Sequence, residues 1–192
     1  IGAGIDSFYE YLLKGYLVFG RPELYDMWNA SYAAVQAHLR HGPWYGEANM
    51  NQGKLLTASF DSLQAFWPAL QVLVGDIGEA AQTHSAFHAL WQRYRVLPER
   101  FDVTRDTVHA TMAYYPLRPE LAESTYALYR ATSDPRYLHR LQRTLNVLPT
   151  GRQTFETGHE PMADVYRAAS AELFGTTVIV VGGGFSIMAV GE

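Results

Sequence analysis

Apolar and polar residues recur with a helical period along three similar stretches of the chain. Two stretches, "IDSFYEYLLKGYLVFGRPELYDMW" from Ile5 and "FDSLQAFWPALQVLVGDIGEAAQTH" from Phe60, have Asp-Ser as their second and third residues and a glycine fourteen residues after the aspartate. A shorter copy, "RPELAESTYALYRATSDPRYLHRL", starts at Arg118. Each copy predicts an apolar, aromatic helix, a tight turn and a more polar amphipathic helix.

The copies therefore predict three antiparallel helix hairpins, because short turns make neighbouring helices antiparallel. The expected helices are 5–19 with 22–40, 57–74 with 77–93, and 119–132 with 135–147. The long connections at 42–56 and 94–117 predict binding loops or short strands. A hairpin cannot bury its own apolar face, so the first helices should share one inner side. The fold class expected is all-α, either an open array of hairpins or an arc of an α/α toroid.

Composition narrows the classes of function. The chain of 192 residues is 48% hydrophobic, which is enough to build one core. Its net charge is −4 and no run of Lys and Arg appears, which argues against a nucleic-acid partner such as DNA. The chain has no cysteine, which excludes disulfides and thiolate metal sites within it.

The last apolar segment is a weak candidate for a membrane span or a nucleotide loop. Residues 176–191 are apolar but fall short of the roughly 20 residues that a span requires. Gly182 and Gly184 match a dinucleotide loop, but Ile187 occupies the third glycine position. We expect a tail that packs poorly on the helices.

Pairs of acids lie on the helices that begin the first and third hairpins. Asp6 and Glu10 are four residues apart, and Glu120 and Glu123 are three apart, so each pair shares a helix face. Like charges at these spacings are unfavourable and more so when buried. An arginine such as Arg118, a cation or the hydroxyl groups of a ligand could offset them.

Further residues extend this cluster. Glu99, in "LPER", is a fifth acid on the loop before the third hairpin. Aromatic residues crowd the same segments: Phe8, Tyr9, Tyr11, Phe66, Trp67, Tyr114 and Tyr115. Acids and aromatic rings together are typical of sugar sites, but a solvated acidic face remains the alternative. His84 and His88 have metal-ligand spacing without an HExxH pattern, which favours core or surface residues over ligands.

Four segments carry a resemblance to a known family. "IGAGIDSFYEYLLK", "DSLQAFWPALQVLVGD", "LPER" and "YPLRPELAESTYALYRAT" resemble glycoside hydrolase family 47, the class I α-1,2-mannosidases. Ser62, where other mannosidases of the family carry a histidine, is similar to the ER degradation-enhancing α-mannosidase-like (EDEM) branch. The resemblance covers about residues 1–148, which we expect to be a partial barrel, and residues 149–192 are expected to be a divergent tail without a family match.

The resemblance implies a fold and a reaction. It implies an (α/α)7 barrel, of which the chain would be about three hairpins. It implies inverting, calcium-dependent hydrolysis of α-1,2-linked mannose on N-glycans of misfolded glycoproteins in the endoplasmic reticulum lumen. Thioredoxin-like oxidoreductases of that compartment are a further implied partner. No signal sequence is visible in the chain.

The resemblance also implies roles for individual residues. Glu120 would be the general base and Asp6 a second catalytic carboxylate. The implied substrate-binding residues are Arg118, Glu123, Glu99 and Glu10. Glu120 and Glu123 would contact Ca²⁺ indirectly, through water. These roles fit an inverting glycosidase, which needs two carboxyl groups with a water between base and sugar.

Three functions remain open at this point. The family's general acid and its calcium-binding threonine have no counterpart in these 192 residues, so we expect the isolated chain to be inactive. The chain could then belong to a mannosidase domain. It could instead be a non-catalytic module that binds glycans or misfolded proteins, or a truncated product without function.

Overall fold

The computed structural model describes residues 1–115, 118–147, 179–181 and 186–188, and these residues are mostly helical, as predicted. They form six α-helices: α1 Asp6–Phe19, α2 Pro22–His38, α3 Trp67–Leu73, α4 Ile77–Tyr94, α5 Glu120–Thr132 and α6 Pro135–Val147. A 3-10 helix, Ser62–Phe66, runs directly into α3. None of the helices in this described part is both long and apolar enough to cross a bilayer.

Three tight turns join these helices into the predicted hairpins α1–α2, α3–α4 and α5–α6. Gly20 ends α1 with φ 63°, and its N–H donates to the Tyr16 carbonyl over 2.8 Å. Gly75 makes the second turn with φ 89°. Ser133 makes the third turn with φ 54° and donates its N–H to the Tyr129 carbonyl over 2.7 Å. A left-handed residue after the last helical turn satisfies carbonyl groups that would otherwise lack a donor.

The long connections contain short strands. The strands are β1 Arg40–His41, β2 Trp44–Tyr45, β3 Glu47–Ala48, β4 Leu55–Thr57, β5 Ser59–Asp61, β6 Arg100–Asp102 and β7 Thr107–Val108. Strands β5, β6 and β7 form an antiparallel sheet in that order. The prediction of a helix from residue 57 was therefore wrong at its start. Asp61 ends β5 and its Oδ1 accepts the Leu63 N–H over 2.9 Å, which caps the 3-10 helix.

Trp67 lies at the centre of the core between the first two hairpins. Its ring is fully buried and packs edge-on against Tyr9, 5.4 Å between centroids, and obliquely against Trp28, 5.9 Å. A second cluster packs the β5–β6–β7 sheet against α4 and α5: Phe60, Phe87, Leu90, Trp91, Leu97, Phe101, Tyr115 and Leu121. These two clusters fix the position of α1 and α5 relative to α3.

One side of α1 and α2 remains apolar and exposed. Phe8 is 45% exposed and Phe19 is 73% exposed. An open array of hairpins predicts that Leu12 and Leu70 are partly exposed as well, but this was wrong, because they are 8% and 2% exposed and belong to the core. The open partial barrel remains a prediction.

Two further strands lie in the C-terminal tail. Strand β8, Ile179–Val181, pairs antiparallel with β9, Ser186–Met188. The glycine-rich segment is therefore followed by a strand, whereas a dinucleotide loop is followed by a helix. Gly182 and Gly184 lie outside the described residues, as does most of the tail whose packing was predicted.

Candidate active site

The β5–β6 ladder brings Glu99 next to Ser62. Asp61 lies opposite Arg100, and the Ser62 N–H continues the ladder to the Glu99 carbonyl over 3.1 Å. The Ser62 hydroxyl donates to Glu99 Oε2 over 2.6 Å. Arg118 donates from Nη2 to Glu99 Oε1 over 2.8 Å and from Nε to Oε2 over 3.1 Å. This two-point pair gives the guanidinium a defined orientation.

The same contacts keep Glu99 charged. Glu99 is 7% exposed, and burial by itself would raise the pKa of its carboxyl. The hydrogen bonds from Arg118 and Ser62 outweigh burial, and the pKa is lowered. Glu99 therefore behaves as a fixed anion in the site.

Glu120 is the carboxyl group with the most perturbed pKa in this cluster. It opens α5, and its Oε2 is buried without a hydrogen-bond partner among the described residues. Burial raises the pKa of Glu120 to about 7. The negative charges of Glu123 and Glu99 act in the same direction, and the positive charge of Arg118 opposes them. A carboxyl group with such a pKa can exchange protons near neutral pH.

Lys14 joins the acids of α1 to those of α5. Its Nζ contacts Glu10 Oε1, one helical turn back, and lies 3.8 Å from Glu123 Oε1. Glu123 is 8% exposed, and burial raises the pKa of its carboxyl, with Glu10 adding to the shift and Lys14 opposing it. The positive charge of Lys14 therefore offsets part of the repulsion between Glu10 and Glu123.

Two cluster residues were not identified as site residues from the sequence. Lys14 follows Glu10 at the four-residue spacing of a helical ion pair, so that spacing could have indicated it. Asp61 has a raised pKa because it is buried and lies near Glu99. Its place in the repeated Asp-Ser pair was visible, but only the sheet brings it near Glu99 and Arg118.

Asp6 is less closely tied to the cluster than the other acids. It begins α1, one turn before Glu10 and on the same helix face. Its Oδ1 accepts the N–H of Ser7 over 2.9 Å. The structure thus brings together Glu10, Glu99, Arg118, Glu120 and Glu123, while the role of Asp6 remains a prediction.

The aromatic residues divide into core and surface. Tyr9, Phe66, Trp67 and Tyr115 are buried. Phe8, Tyr11 and Tyr114 are 45%, 54% and 53% exposed. Only the exposed three of the seven have rings available to a ligand. Tyr115 has a different role, because its hydroxyl donates to the Arg118 carbonyl over 2.9 Å and holds the backbone beside Glu120.

The two spaced histidines are core residues. His84 is fully buried, and its Nε2 lies 2.7 Å from Thr125 Oγ1 of α5. His88 is 3% exposed. Burial lowers the pKa of His84 to about 3 and that of His88 to about 4, so both are neutral at pH 7.

The described residues do not form a direct metal shell. None of their acids and histidines gather in a group of three that could hold an ion. Glu123 is buried and Glu120, one helical turn before it, is half-buried with an Oε2 atom that has no hydrogen-bond partner among the described residues. These two residues suit contact with a hydrated ion through water.

Comparison with known proteins identifies a family and several relatives of the chain. The family model for glycosyl hydrolase family 47 matches residues 1–173, which extends past residue 148. The chain is 57% identical over 138 residues to "Alpha-mannosidase I MNS5" of Arabidopsis thaliana, covering 72% of this chain and 24% of that protein. It is 43% identical over 139 residues to human "ER degradation-enhancing alpha-mannosidase-like protein 3", covering 72% of this chain and 15% of that protein.

A further human relative gives the same result. The chain is 39% identical over 138 residues to "ER degradation-enhancing alpha-mannosidase-like protein 2", covering 72% of this chain and 24% of that protein. The chain therefore spans about a quarter or less of the length of these curated relatives.

Proposed function

The chain belongs to glycosyl hydrolase family 47, and we propose that it supplies the carboxylate-bearing part of an α-1,2-mannosidase site of the EDEM type. The observation that carries this proposal is the raised pKa of Glu120 beside the Glu99–Arg118 pair. A base that titrates near the working pH combines a large deprotonated fraction with adequate basicity.

In this proposal Glu120 accepts a proton from the water that attacks the sugar carbon. Inversion requires the attacking water to lie between this base and the sugar, opposite the departing group. Asp6 is proposed as the second catalytic carboxylate. The positive charge of Arg118 lowers the pKa of Glu120 and thus stabilises the carboxylate form that accepts the proton.

The surrounding charged residues are proposed to hold the sugar. Glu10, Glu99 and Glu123 can accept hydrogen bonds from hydroxyl groups, and Arg118 can donate to them. Glu120 and Glu123 would contact Ca²⁺ through water, and the ion would supply a fixed positive charge for sugar hydroxyls. The proposed substrates are N-glycans of misfolded glycoproteins.

The proposed location is the endoplasmic reticulum lumen, and the words "ER degradation-enhancing" in the names of the EDEM-like relatives support the endoplasmic reticulum. A thioredoxin-like oxidoreductase remains a predicted partner. Because these 192 residues contain no cysteine, any mixed disulfide with such a partner would have to form through another part of the full-length protein.

The test compares the purified 192-residue chain with the full-length protein that carries it. The chain should release no mannose from an oligomannose glycan, because general acid catalysis typically contributes about 10²–10⁴-fold to the rate. In the full-length protein, Glu120→Gln should abolish release and retain glycan affinity, since the amide keeps its shape but cannot accept the proton.

The matched control is Asp26→Asn, which changes an exposed acid on α2. Its release rate should equal that of the unchanged protein. Normal mannose release by the Glu120→Gln protein would show that the base is a different residue.

A non-catalytic binding module is the second candidate function. The exposed apolar side of α1 and α2 favours it: Leu17, Val18, Phe19 and Met27 are 53%, 73%, 73% and 49% exposed. Exposed apolar patches of this kind are typical of interaction surfaces. Full-length protein that binds oligomannose or unfolded protein with no mannose release would favour this candidate.

A further inference from the structure

Ser62 occupies a special place beside the Glu99–Arg118 pair. It is the first residue of the 3-10 helix, directly after the Asp61 cap, and it is fully buried. Its backbone N–H and its hydroxyl both reach Glu99, over 3.1 Å to the carbonyl oxygen and 2.6 Å to Oε2. Because Ser62 bonds to both the backbone and the carboxylate of Glu99, the Ser62 side chain has little freedom to move.

Glu99 in turn uses both carboxylate oxygens. Oε2 accepts from Ser62 and from Arg118 Nε, and Oε1 accepts from Arg118 Nη2. Without the Ser62 hydroxyl, the carboxylate could rotate about its last bond, because that torsion is broad. The orientation of the guanidinium would then be less defined.

Arg118 has donors left for a ligand. Its Nε and Nη2 donate to Glu99, whereas Nη1 has no hydrogen-bond partner within the described part of the chain, and the side chain is 25% exposed. Its charge also acts on Glu120, two residues later. An oriented donor beside the half-buried carboxyl group of Glu120 can recognise one particular hydroxyl group of a sugar.

We propose that Ser62 is a positioning residue: its hydroxyl fixes the Glu99 carboxylate, which orients Arg118 to donate from Nη1 to a mannose hydroxyl. The part that concerns mannose rests on the proposed function. The part that concerns the orientation of Arg118 does not.

The first measurement needs no ligand. In the ¹⁵N-labelled chain, the Arg118 Nε–H signal is assigned by its loss in Arg118→Lys, and its exchange with solvent is measured. Ser62→Ala should accelerate this exchange about tenfold, the effect of weakening one charge-assisted hydrogen bond. Ser62→Thr, which keeps the hydroxyl, should restore slow exchange. Ser85→Ala, an exposed serine on α4, is the matched control and should change nothing.

The second measurement is the affinity of the protein for α-1,2-mannobiose, determined by titration. Ser62→Ala should weaken its affinity about tenfold, but should have no further effect in an Arg118→Lys background, because coupled residues are not additive. An equal loss of affinity in both backgrounds would overturn the proposal, since it would mean that Ser62 acts through general stability.

The two measurements separate the possible failures. Unchanged Arg118 Nε–H exchange in a folded Ser62→Ala chain overturns the positioning role, whatever the ligand does. Absence of mannobiose binding by the unchanged protein contradicts the proposed function, while the exchange result still decides whether Ser62 orients Arg118. If the extra methyl group of threonine unfolds the chain, the Ser62→Ala result decides alone.

Discussion

The Ser124 hydroxyl is inserted into the helix that carries Trp67, and its removal gives the most direct test of how α5 is held. Ser124 Oγ accepts the Ala69 N–H over 3.1 Å and donates to the Ala65 carbonyl. In a regular α-helix these two backbone groups, four residues apart, would bond to each other. Ser124 is fully buried, so its hydroxyl links α5 to the junction between the 3-10 helix, which contains Ala65, and α3, which contains Ala69.

The expected loss of stability follows from the two backbone groups that Ser124→Ala would leave without a hydrogen-bond partner. One buried donor and one buried acceptor lose their partner, and each unsatisfied group costs about 1–3 kcal/mol. Ala69 and Ala65 can recover part of this if the helix tightens and their direct bond forms. We therefore expect a loss of about 2 kcal/mol in the free energy of unfolding.

The assay is urea unfolding of the purified chain, followed by circular dichroism. With a denaturant slope of about 2 kcal/mol/M, the midpoint should fall by about 1 M. Ser85→Ala is the control, because an exposed helix position should change stability by no more than about 0.5 kcal/mol. A midpoint for Ser124→Ala equal to that of Ser85→Ala would refute the reasoning, since it would show that the backbone groups do not depend on the inserted hydroxyl.

Two further predictions concern pH. The pKa of Glu120 is raised from 4.5 to about 7, so the folded state binds the proton more tightly and stability falls as pH rises from 4.5 to about 7. Glu120→Gln should be more stable than the unchanged chain by up to about 3 kcal/mol at pH 8 and about equal at pH 4, measured by urea unfolding with EDTA present; the same difference at both pH values would contradict this. The pKa of His84 is lowered from 6.5 to about 3, so the stability that depends on neutral His84 is lost as pH falls below 6.5. His84→Gln should therefore lose about 2 kcal/mol less than the unchanged chain between pH 7 and pH 5, and parallel pH profiles of the two proteins would refute it.

The helices and their turns were predictable because their signals are local. The period of apolar residues, the glycines at 20 and 75 and Pro22 in a first turn act within one or two helical turns. The bounds of α1, α4, α5 and α6 agree with the prediction to within one residue. The shared faces of Asp6 with Glu10 and of Glu120 with Glu123 follow from the same period.

The start of the second hairpin depended on distant residues. Residues 59–61 were predicted as helix, but they pair with β6, Arg100–Asp102, as strand β5. A strand forms when its partner satisfies its backbone groups, and that partner lies far along the chain. The sheet then sets the helix start at Ser62.

The tertiary structure also decided which charges meet. The sequence shows Glu99, Arg118, Lys14 and Glu123 as separate residues, and no local period links Lys14 to Glu123 or Glu99 to Arg118. Their contacts exist because the core around Trp67 holds α1, while the second cluster and the β5–β6 ladder hold α5 and the segment that carries Glu99.

The chemistry of Glu120 shows the same division. Its place in the first turn of a helix, one turn before another acid, could be read from the sequence. Its pKa near 7 could not, because that value comes mainly from burial, and burial is decided by packing between elements distant in sequence.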